Sequence, residues 1–198
     1  MKEIEYDHLL NIKTTGDQMG FHKSLHYHRY EPTPYAGLKK LLQHLPLTGN
    51  DRVVDFGCGK GRLNFFIHHE CQASVVGIEM DEGFYEEALA NLASYGKKAS
   101  TDKIQFLCCF AQEYEVNRRD NVFYFFNPFS VQIFRNVINN ILLSVERTKR
   151  EITVVLYYPS EEYLFFLDDH PSFERRGEVG LNERDENERF VLYKLAYI

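Results

Sequence analysis

The chain has 198 residues, of which 44% are hydrophobic and 26% charged, with a net charge of −6. This length suffices for one α/β domain with a sizeable core, and the acidic balance argues mildly against a strongly basic nucleic-acid binder, although not against a local basic patch. The four cysteines lack paired Cys-x-x-Cys spacing, which argues against structural zinc. The N-terminus has no apolar signal-peptide core and no run could span a bilayer, so the sequence predicts a cytoplasmic protein that does not insert into membranes.

Residues 1–33 read as a polar, aromatic arm or lid that precedes the domain and covers its active site. Its histidines lack a nearby acid or cysteine to complete a ligand set, so no metal is predicted; they are His22, His26 and His28. Aromatic rings can exclude water from a site while a phenol still forms hydrogen bonds. The candidates to roof a site from this side are Tyr27, Tyr30 and Tyr35, with Tyr30 predicted to contact substrate.

The domain itself is predicted to cover residues 34–198 and to begin with a helix. Pro34 suits the first turn of that helix, with Thr33 as its N-cap. Leucines at helical spacing follow, namely Leu38, Leu41, Leu42 and Leu45. This helix is expected to pack outside the first strand of a sheet.

The stretch from Val53 to Arg62 predicts a buried strand, a tight turn and the start of a helix. Glycines at alternating positions let a ligand approach the turn backbone closely, and the N–H groups of the following helix point into the same space. A dinucleotide-binding fingerprint would need glycine at the position of Arg62. The carboxylate of Asp55 would repel a phosphate-rich ligand and attract a cationic amine. An ordinary glycine-rich turn is the alternative.

The segment Asp-Phe-Gly-Cys-Gly-Lys-Gly closely resembles the first motif of class I S-adenosylmethionine-dependent methyltransferases. The resemblance implies that Asp55 orients the methionine moiety through the turn amides and the ammonium group. It also implies close backbone approach to S-adenosylmethionine at Gly57, Cys58, Gly59 and Gly61.

A second buried strand, Ser74–Glu79, ends in an acid. Ligands of open α/β sheets sit beyond the carboxyl ends of the strands, so Glu79 is placed beside the glycine turn. Its carboxylate could there accept both hydroxyls of a ribose, and the resemblance places Met80 against the adenine face. The alternative role for Glu79 is an acid that favours the start of the next helix through the macrodipole.

A helix over Asp81–Lys97 and a third strand over Lys103–Cys108 follow. The thiols of Cys108 and Cys109 are predicted to be free and buried. The related methyltransferases commonly carry an acid after this strand that meets the adenine amine, whereas this chain has Phe110. Gln112 is predicted to supply an amide carbonyl instead, and the N–H of Ala111 to meet a ring nitrogen.

A fourth buried strand, Asn121–Phe126, ends in Asn127-Pro128-Phe129-Ser130. This tetrapeptide is similar to a shortened form of the (Asn/Asp)-Pro-Pro-(Tyr/Phe) motif of amino-group methyltransferases. The resemblance implies that Asn127 is the catalytic residue beside the cofactor and that Pro128 and Phe129 contact substrate. A strand-ending turn in which Ser130 caps the next helix is the alternative, and both roles can hold together.

The remaining pattern predicts a long helix from Val131, a fifth strand over Glu151–Tyr158, a short aromatic helix and two final strands. The whole order matches a three-layer, Rossmann-like α/β sandwich with a seven-stranded, mostly parallel sheet and a C-terminal antiparallel hairpin. The more particular resemblance is to small bacterial members of the family with a Tyr-Glu-Pro-Thr-Pro-Tyr arm and an Asn-Pro-Phe fourth motif.

These resemblances imply a methyltransferase that uses S-adenosylmethionine and acts on an unidentified small molecule, protein or RNA. An amine acceptor is favoured, because the fourth motif offers no obvious general base and a neutral amine needs little help. Two alternatives stay open, a non-catalytic S-adenosylmethionine-binding or protein-interaction module and a nucleotide-dependent oxidoreductase. The sequence leaves the oligomeric state open.

Overall fold

The computed structural model describes residues 3–15, 31–182 and 184–196. Two of the predicted roofing residues, Tyr27 and Tyr30, lie outside this range, as do the three histidines of the arm. Within the described range, none of the helices is both long and apolar enough to cross a membrane.

Strands and helices alternate along most of the chain. The strands are β1 (Arg52–Phe56), β2 (Ser74–Glu79), β3 (Ile104–Cys108), β4 (Val122–Phe125), β5 (Thr153–Tyr157), β6 (Phe173–Gly180) and β7 (Arg189–Leu195). The helices are α1 (Glu3–Leu10), α2 (Tyr35–His44), α3 (Arg62–Cys71), α4 (Glu82–Tyr95), α5 (Val131–Arg147) and α6 (Glu161–Asp168), and a 3₁₀ turn covers Ala111–Glu113.

The seven strands form one sheet in the order β3-β2-β1-β4-β5-β7-β6. The first five strands pair in parallel, whereas β7 runs antiparallel to both β5 and β6. This arrangement confirms the predicted mostly parallel sheet with a C-terminal hairpin. The strand order reverses next to β1, so a crevice opens at its carboxyl end.

Two apolar clusters cover the two faces of the sheet. One cluster gathers side chains of α1 to α4, and the other gathers those of α5 and α6. The inner strands are apolar on both faces, as expected for strands that are covered on both sides. The three-layer sandwich predicted from the sequence is therefore confirmed.

Several predicted boundaries differ from the structure by one to a few residues. The helix predicted from Asp81 is α4, and Asp81 is its N-cap, accepting a hydrogen bond from the Phe84 amide at 2.9 Å. The strands predicted from Lys103, Asn121 and Glu151 begin later, at Ile104, Val122 and Thr153.

The predicted cap of α2 and the predicted burial of two thiols are wrong. Pro34 occupies the N-cap position of α2, and the Thr33 hydroxyl instead shares a hydrogen bond of 2.7 Å with the Tyr124 hydroxyl. Cys108 is exposed and Cys109 is half-buried. Cys108 ends the edge strand β3, and Cys109 begins the following loop.

The first described residues pack into the core of the domain. Asp7 is buried and accepts hydrogen bonds from the Thr14 amide at 2.6 Å, the Thr14 hydroxyl at 2.7 Å and the Tyr35 hydroxyl at 2.6 Å. The Tyr35 ring stacks on that of Tyr6 with centroids 4.5 Å apart. Tyr35 is therefore a core residue, and the prediction that it roofs the site is wrong.

Candidate functional site

The turn between β1 and α3 depends on its glycines. Gly57, Gly59 and Gly61 have φ values of 79°, 52° and 84°, in the left-handed region that glycine adopts without strain. The amides of Gly57 and Cys58 both donate to the Ile78 carbonyl, at 2.8 and 3.1 Å, which ties the turn to β2. The turn is therefore a bare, fixed backbone surface at the carboxyl end of the central strand.

Replacing Gly61 by Ala is expected to lower the free energy of unfolding by about 1–3 kcal/mol, because a left-handed conformation is strained for alanine. The new Cβ would also lie 2.6 Å from the Phe106 ring. Urea unfolding measures the change, with Gly177→Ala as the control, since no atom lies within 4 Å of a Cβ there. Equal stabilities of the two variants would contradict this account of the turn.

The turn faces a cleft with an empty volume of about 300 Å³, including space open to solvent. Three groups of residues line it. The last residues of the arm contribute Glu31, Pro32 and Thr33, the glycine turn and its flanks contribute Asp55, Gly57, Cys58, Arg62 and Leu63, and the end of β4 contributes Tyr124 and Phe126.

Asp55 is a buried carboxyl group on the wall of this cleft. It is 5% exposed, and within the described part of the chain its side chain has neither a hydrogen bond nor an ion pair. Burial, and then the neighbouring charge of Glu79, raise its pKa to about 8. The group is therefore largely protonated at neutral pH, and a cationic ligand would favour its ionised form.

Glu79 lies next to the turn at the end of β2. One carboxylate oxygen accepts from the Gly59 amide and the other from the Asp81 amide, both at 2.9 Å. Burial raises the pKa of Glu79 although these hydrogen bonds oppose the shift. Glu79 is not among the residues that line the cleft. Since Asp81 caps α4, Glu79 acts as a tether for the turn rather than as a helix-start acid.

The corner after β3 holds the residues predicted to meet adenine. Ala111 is buried in the 3₁₀ turn, and Met80 is partly buried at the end of β2. The Gln112 side-chain oxygen is buried and lacks a hydrogen-bond partner among the described residues. Phe110, in contrast, is 46% exposed. An unpaired buried carbonyl oxygen suits a ligand that donates a hydrogen bond.

The fourth motif touches the glycine turn. Asn127 adopts a positive φ of 40°, and a Cβ at Gly57 would lie 2.7 Å from the side chain of Pro128. Phe129, however, is only 2% exposed and packs edge-on against Phe125 in the layer beneath α5. The prediction that the Phe129 ring contacts substrate is therefore wrong, because the ring belongs to the core.

Arg62 is a residue of this region that the sequence analysis did not assign to the site. It is 4% exposed, donates from Nε to the Thr14 hydroxyl at 2.7 Å and forms an ion pair with Glu3. Its guanidinium also lies 4.6 Å from the centroid of the Tyr35 ring. Arg62 occupies the position at which a dinucleotide-binding fingerprint requires glycine. No sequence pattern indicates this cluster, because Glu3 and Arg62 are 59 residues apart.

Comparisons with known proteins agree with this geometry. A family described as a methyltransferase domain matches residues 35–156. A protein-lysine N-methyltransferase of Saccharolobus islandicus is 32% identical over 68 residues, which span 34% of this chain and 42% of that relative.

Solved structures share the fold. A mutant of MtNAS in complex with S-adenosylmethionine has a TM-score of 0.60 at 18% identity, covering 81% of this chain and 60% of MtNAS. An RNA methyltransferase from Salinibacter ruber in complex with S-adenosyl-L-homocysteine has a TM-score of 0.54 at 18% identity, covering 83% of this chain and 92% of that protein.

Proposed function

Because this chain belongs to the family of methyltransferase domains, whose match covers residues 35–156, we propose that it transfers a methyl group from S-adenosylmethionine to an amine. It has the class I, Rossmann-like architecture. The observation that carries the proposal is Asp55, a buried carboxyl group without a described partner, beside a turn of three glycines. Such a carboxylate suits the ammonium of an amino acid.

The glycine turn and the residues beside it fit the amino-acid end of S-adenosylmethionine. Asp55 would hold the ammonium, while the backbone of Gly57, Cys58, Gly59 and Gly61 would lie against the methionine chain. Each carboxylate oxygen of Glu79 accepts one amide hydrogen bond and keeps a further lone pair, which leaves room for the ribose hydroxyls.

Three residues after β2 and β3 are candidates to bind the adenine of S-adenosylmethionine. The buried, unpaired oxygen of Gln112 would accept from the adenine amine, and the Ala111 amide would donate to a ring nitrogen. Met80 would lie against the face of the base. This assignment replaces the acid that related enzymes commonly carry at this corner.

When bound, S-adenosylmethionine supplies a methyl group that its sulfonium makes electrophilic. The contribution of this chain is alignment of the reacting groups in the cleft. Asn127, beside the glycine turn, would position the attacking nitrogen. An amine that attacks in its neutral form needs no strong base in the fourth motif. The lysine-directed activity of the Saccharolobus relative supports a nitrogen acceptor.

Replacing Glu79 by Gln is expected to weaken the binding of S-adenosylhomocysteine by about 1–3 kcal/mol, because hydrogen bonds between the ribose and a charged acceptor are lost. Titration calorimetry measures the change, and a thermal melt verifies that the turn stays folded. Glu86→Gln, on the exposed side of α4, is the control. Unchanged affinity in a folded Glu79→Gln protein would remove Glu79 from the proposed ribose site.

The acceptor itself is tested by incubating a cell lysate with the protein and tritium-labelled S-adenosylmethionine, then separating proteins, RNA and small molecules. The proposal predicts label on nitrogen in one of these fractions. Tight cofactor binding without label in any fraction would favour the non-catalytic module. Binding of NAD alone would favour the oxidoreductase, which the buried side chain of Arg62 at the fingerprint position argues against. The cytoplasmic location stays a prediction from the sequence.

A further inference from the structure

Aromatic residues at the carboxyl end of β4 line one side of the cleft, and those at the end of β5 lie next to them. The Phe126 ring lines the cleft and lies edge-on to the Tyr157 ring, with centroids 4.4 Å apart. The Tyr157 hydroxyl donates to Glu188 at 3.3 Å, and the neighbouring Tyr158 hydroxyl donates to Asp185 at 2.7 Å. Two tyrosine–carboxylate pairs therefore lie beside the Phe126 ring.

A third carboxylate completes what we call the acidic rim, defined as Glu31, Asp185 and Glu188. Glu31 lines the cleft from the arm side. Burial and then the charges of Glu188 and Glu31 raise the pKa of Tyr157. The hydrogen bond to Asp185 is the main cause of the raised pKa of Tyr158, and Glu188 and Glu31 add to it.

The acidic rim is not neutralised by the part of the chain that the structure describes. None of its three carboxylates forms an ion pair with a described lysine or arginine. The nearest arginine in sequence, Arg189, pairs with Glu178 instead. Among the residues that line the cleft, Arg62 is the single cation, and its partner is Glu3.

Asp55, which the proposed function assigns to the ammonium of the cofactor, shows that the same cleft favours positive charge. Asp55 is more than nine-tenths buried, lines the cleft with Glu31 and Phe126, and has no hydrogen-bond or ion-pair partner among the described residues. Acidic residues therefore occur at two positions of this region, namely the buried Asp55 and the acidic rim. A polyanion such as RNA would be repelled from the carboxylates of the rim.

We infer that the acceptor is the side-chain amine of a lysine in a basic protein segment, which enters between the acidic rim and the ring of Phe126. This inference rests on the proposed function and names its substrate class. Carboxylates at a rim attract and orient a cationic partner, and aromatic rings add cation–π attraction.

The transfer of the methyl group conserves protons and electrons. The lysine ammonium first gives one proton to solvent and becomes a neutral amine. Its nitrogen lone pair then forms the new bond to the methyl carbon, while the carbon–sulfur bond breaks and its electron pair stays on sulfur. The products are a methylated, protonated lysine and S-adenosylhomocysteine.

The test measures the fluorescence anisotropy of a labelled pentalysine peptide bound to the full chain in the presence of S-adenosylhomocysteine. A triple variant removes the rim charges, Glu31→Gln with Asp185→Asn and Glu188→Gln. A second triple variant makes the same change of net charge on exposed acids elsewhere, Glu86→Gln with Glu146→Gln and Glu162→Gln. We expect the rim variant to bind pentalysine roughly tenfold more weakly, and the second variant to stay within about twofold of the wild type.

Titration of S-adenosylhomocysteine separates this inference from the function on which it rests. All three proteins are expected to bind it equally, because the rim lies outside the cofactor contacts. Equal pentalysine affinity in the wild type and the rim variant, or tighter binding of a labelled oligouridylate than of pentalysine, would overturn the lysine acceptor alone. Failure of the wild type to bind S-adenosylhomocysteine would instead refute the proposed function.

Discussion

Replacing Asp55 by Asn is expected to stabilise the unliganded protein and to remove most of its affinity for S-adenosylmethionine. The pKa of this carboxyl is about 8 in the folded protein against 3.8 as the ordinary value, so the folded state holds its proton more tightly than the unfolded state does. Its contribution to stability is therefore full at low pH and is lost as the pH rises from about 4 to 8. Asparagine, which does not ionise, avoids this loss.

The gain in the free energy of unfolding at pH 8 should be on the order of 2–4 kcal/mol, and little gain is expected near pH 4. Urea unfolding at several pH values measures it. Affinity for S-adenosylmethionine should fall roughly 10- to 100-fold, because a charged hydrogen bond to the ammonium is lost. Calorimetry measures that fall, with the exposed Asp102→Asn as the control. A variant that is less stable at every pH, or that binds normally, would contradict the role given to Asp55.

Replacing Arg62 by Ala is expected to lower the free energy of unfolding by about 2–4 kcal/mol, because it leaves buried hydrogen-bonding groups unpaired. The change removes the donor to the Thr14 hydroxyl, the ion pair with Glu3 and the contact with the Tyr35 ring. The estimate stays below that of a fully buried ion pair because the Glu3 side chain is 40% exposed. Urea unfolding measures the loss.

Two matched variants sharpen this prediction. Arg62→Lys keeps the charge but cannot reproduce the planar fork of hydrogen bonds, so its loss should fall between wild type and Arg62→Ala. Arg176→Ala removes an exposed pair with Glu174 and should change stability by less than about 1 kcal/mol. If Arg62→Ala cost no more than Arg176→Ala, the cluster around Arg62 would be irrelevant to stability.

The sheet was predictable because its signals are local. Each buried strand is a short apolar run, and the turn after β1 needs glycine at positions that the sequence displays directly. The predicted strand ends differ from the observed ones by one or two residues, because the terminal residue of an apolar run can belong either to the strand or to the adjoining loop. The early helix α1 was missed because Asp7 and Tyr35 stabilise it through a contact between residues 28 apart.

The side chains of the site were less predictable than its backbone. The sequence correctly placed Asp55 on the cleft and Glu79 beside the glycine turn. It could not show that Phe129 turns into the core while Phe110 faces solvent, because both are single phenylalanines at the ends of strands. It also could not reveal the acidic rim, whose members come from two distant segments of the chain.

A crystal structure of the protein with S-adenosylhomocysteine tests the central claim most directly. The account predicts the amino group of the ligand within hydrogen-bonding distance of Asp55, its ribose hydroxyls on Glu79 and its amino-acid chain along Gly57 to Gly61. A ligand bound elsewhere on the chain, or one whose amino group lay far from Asp55 while another side chain filled the space beside the turn, would contradict it.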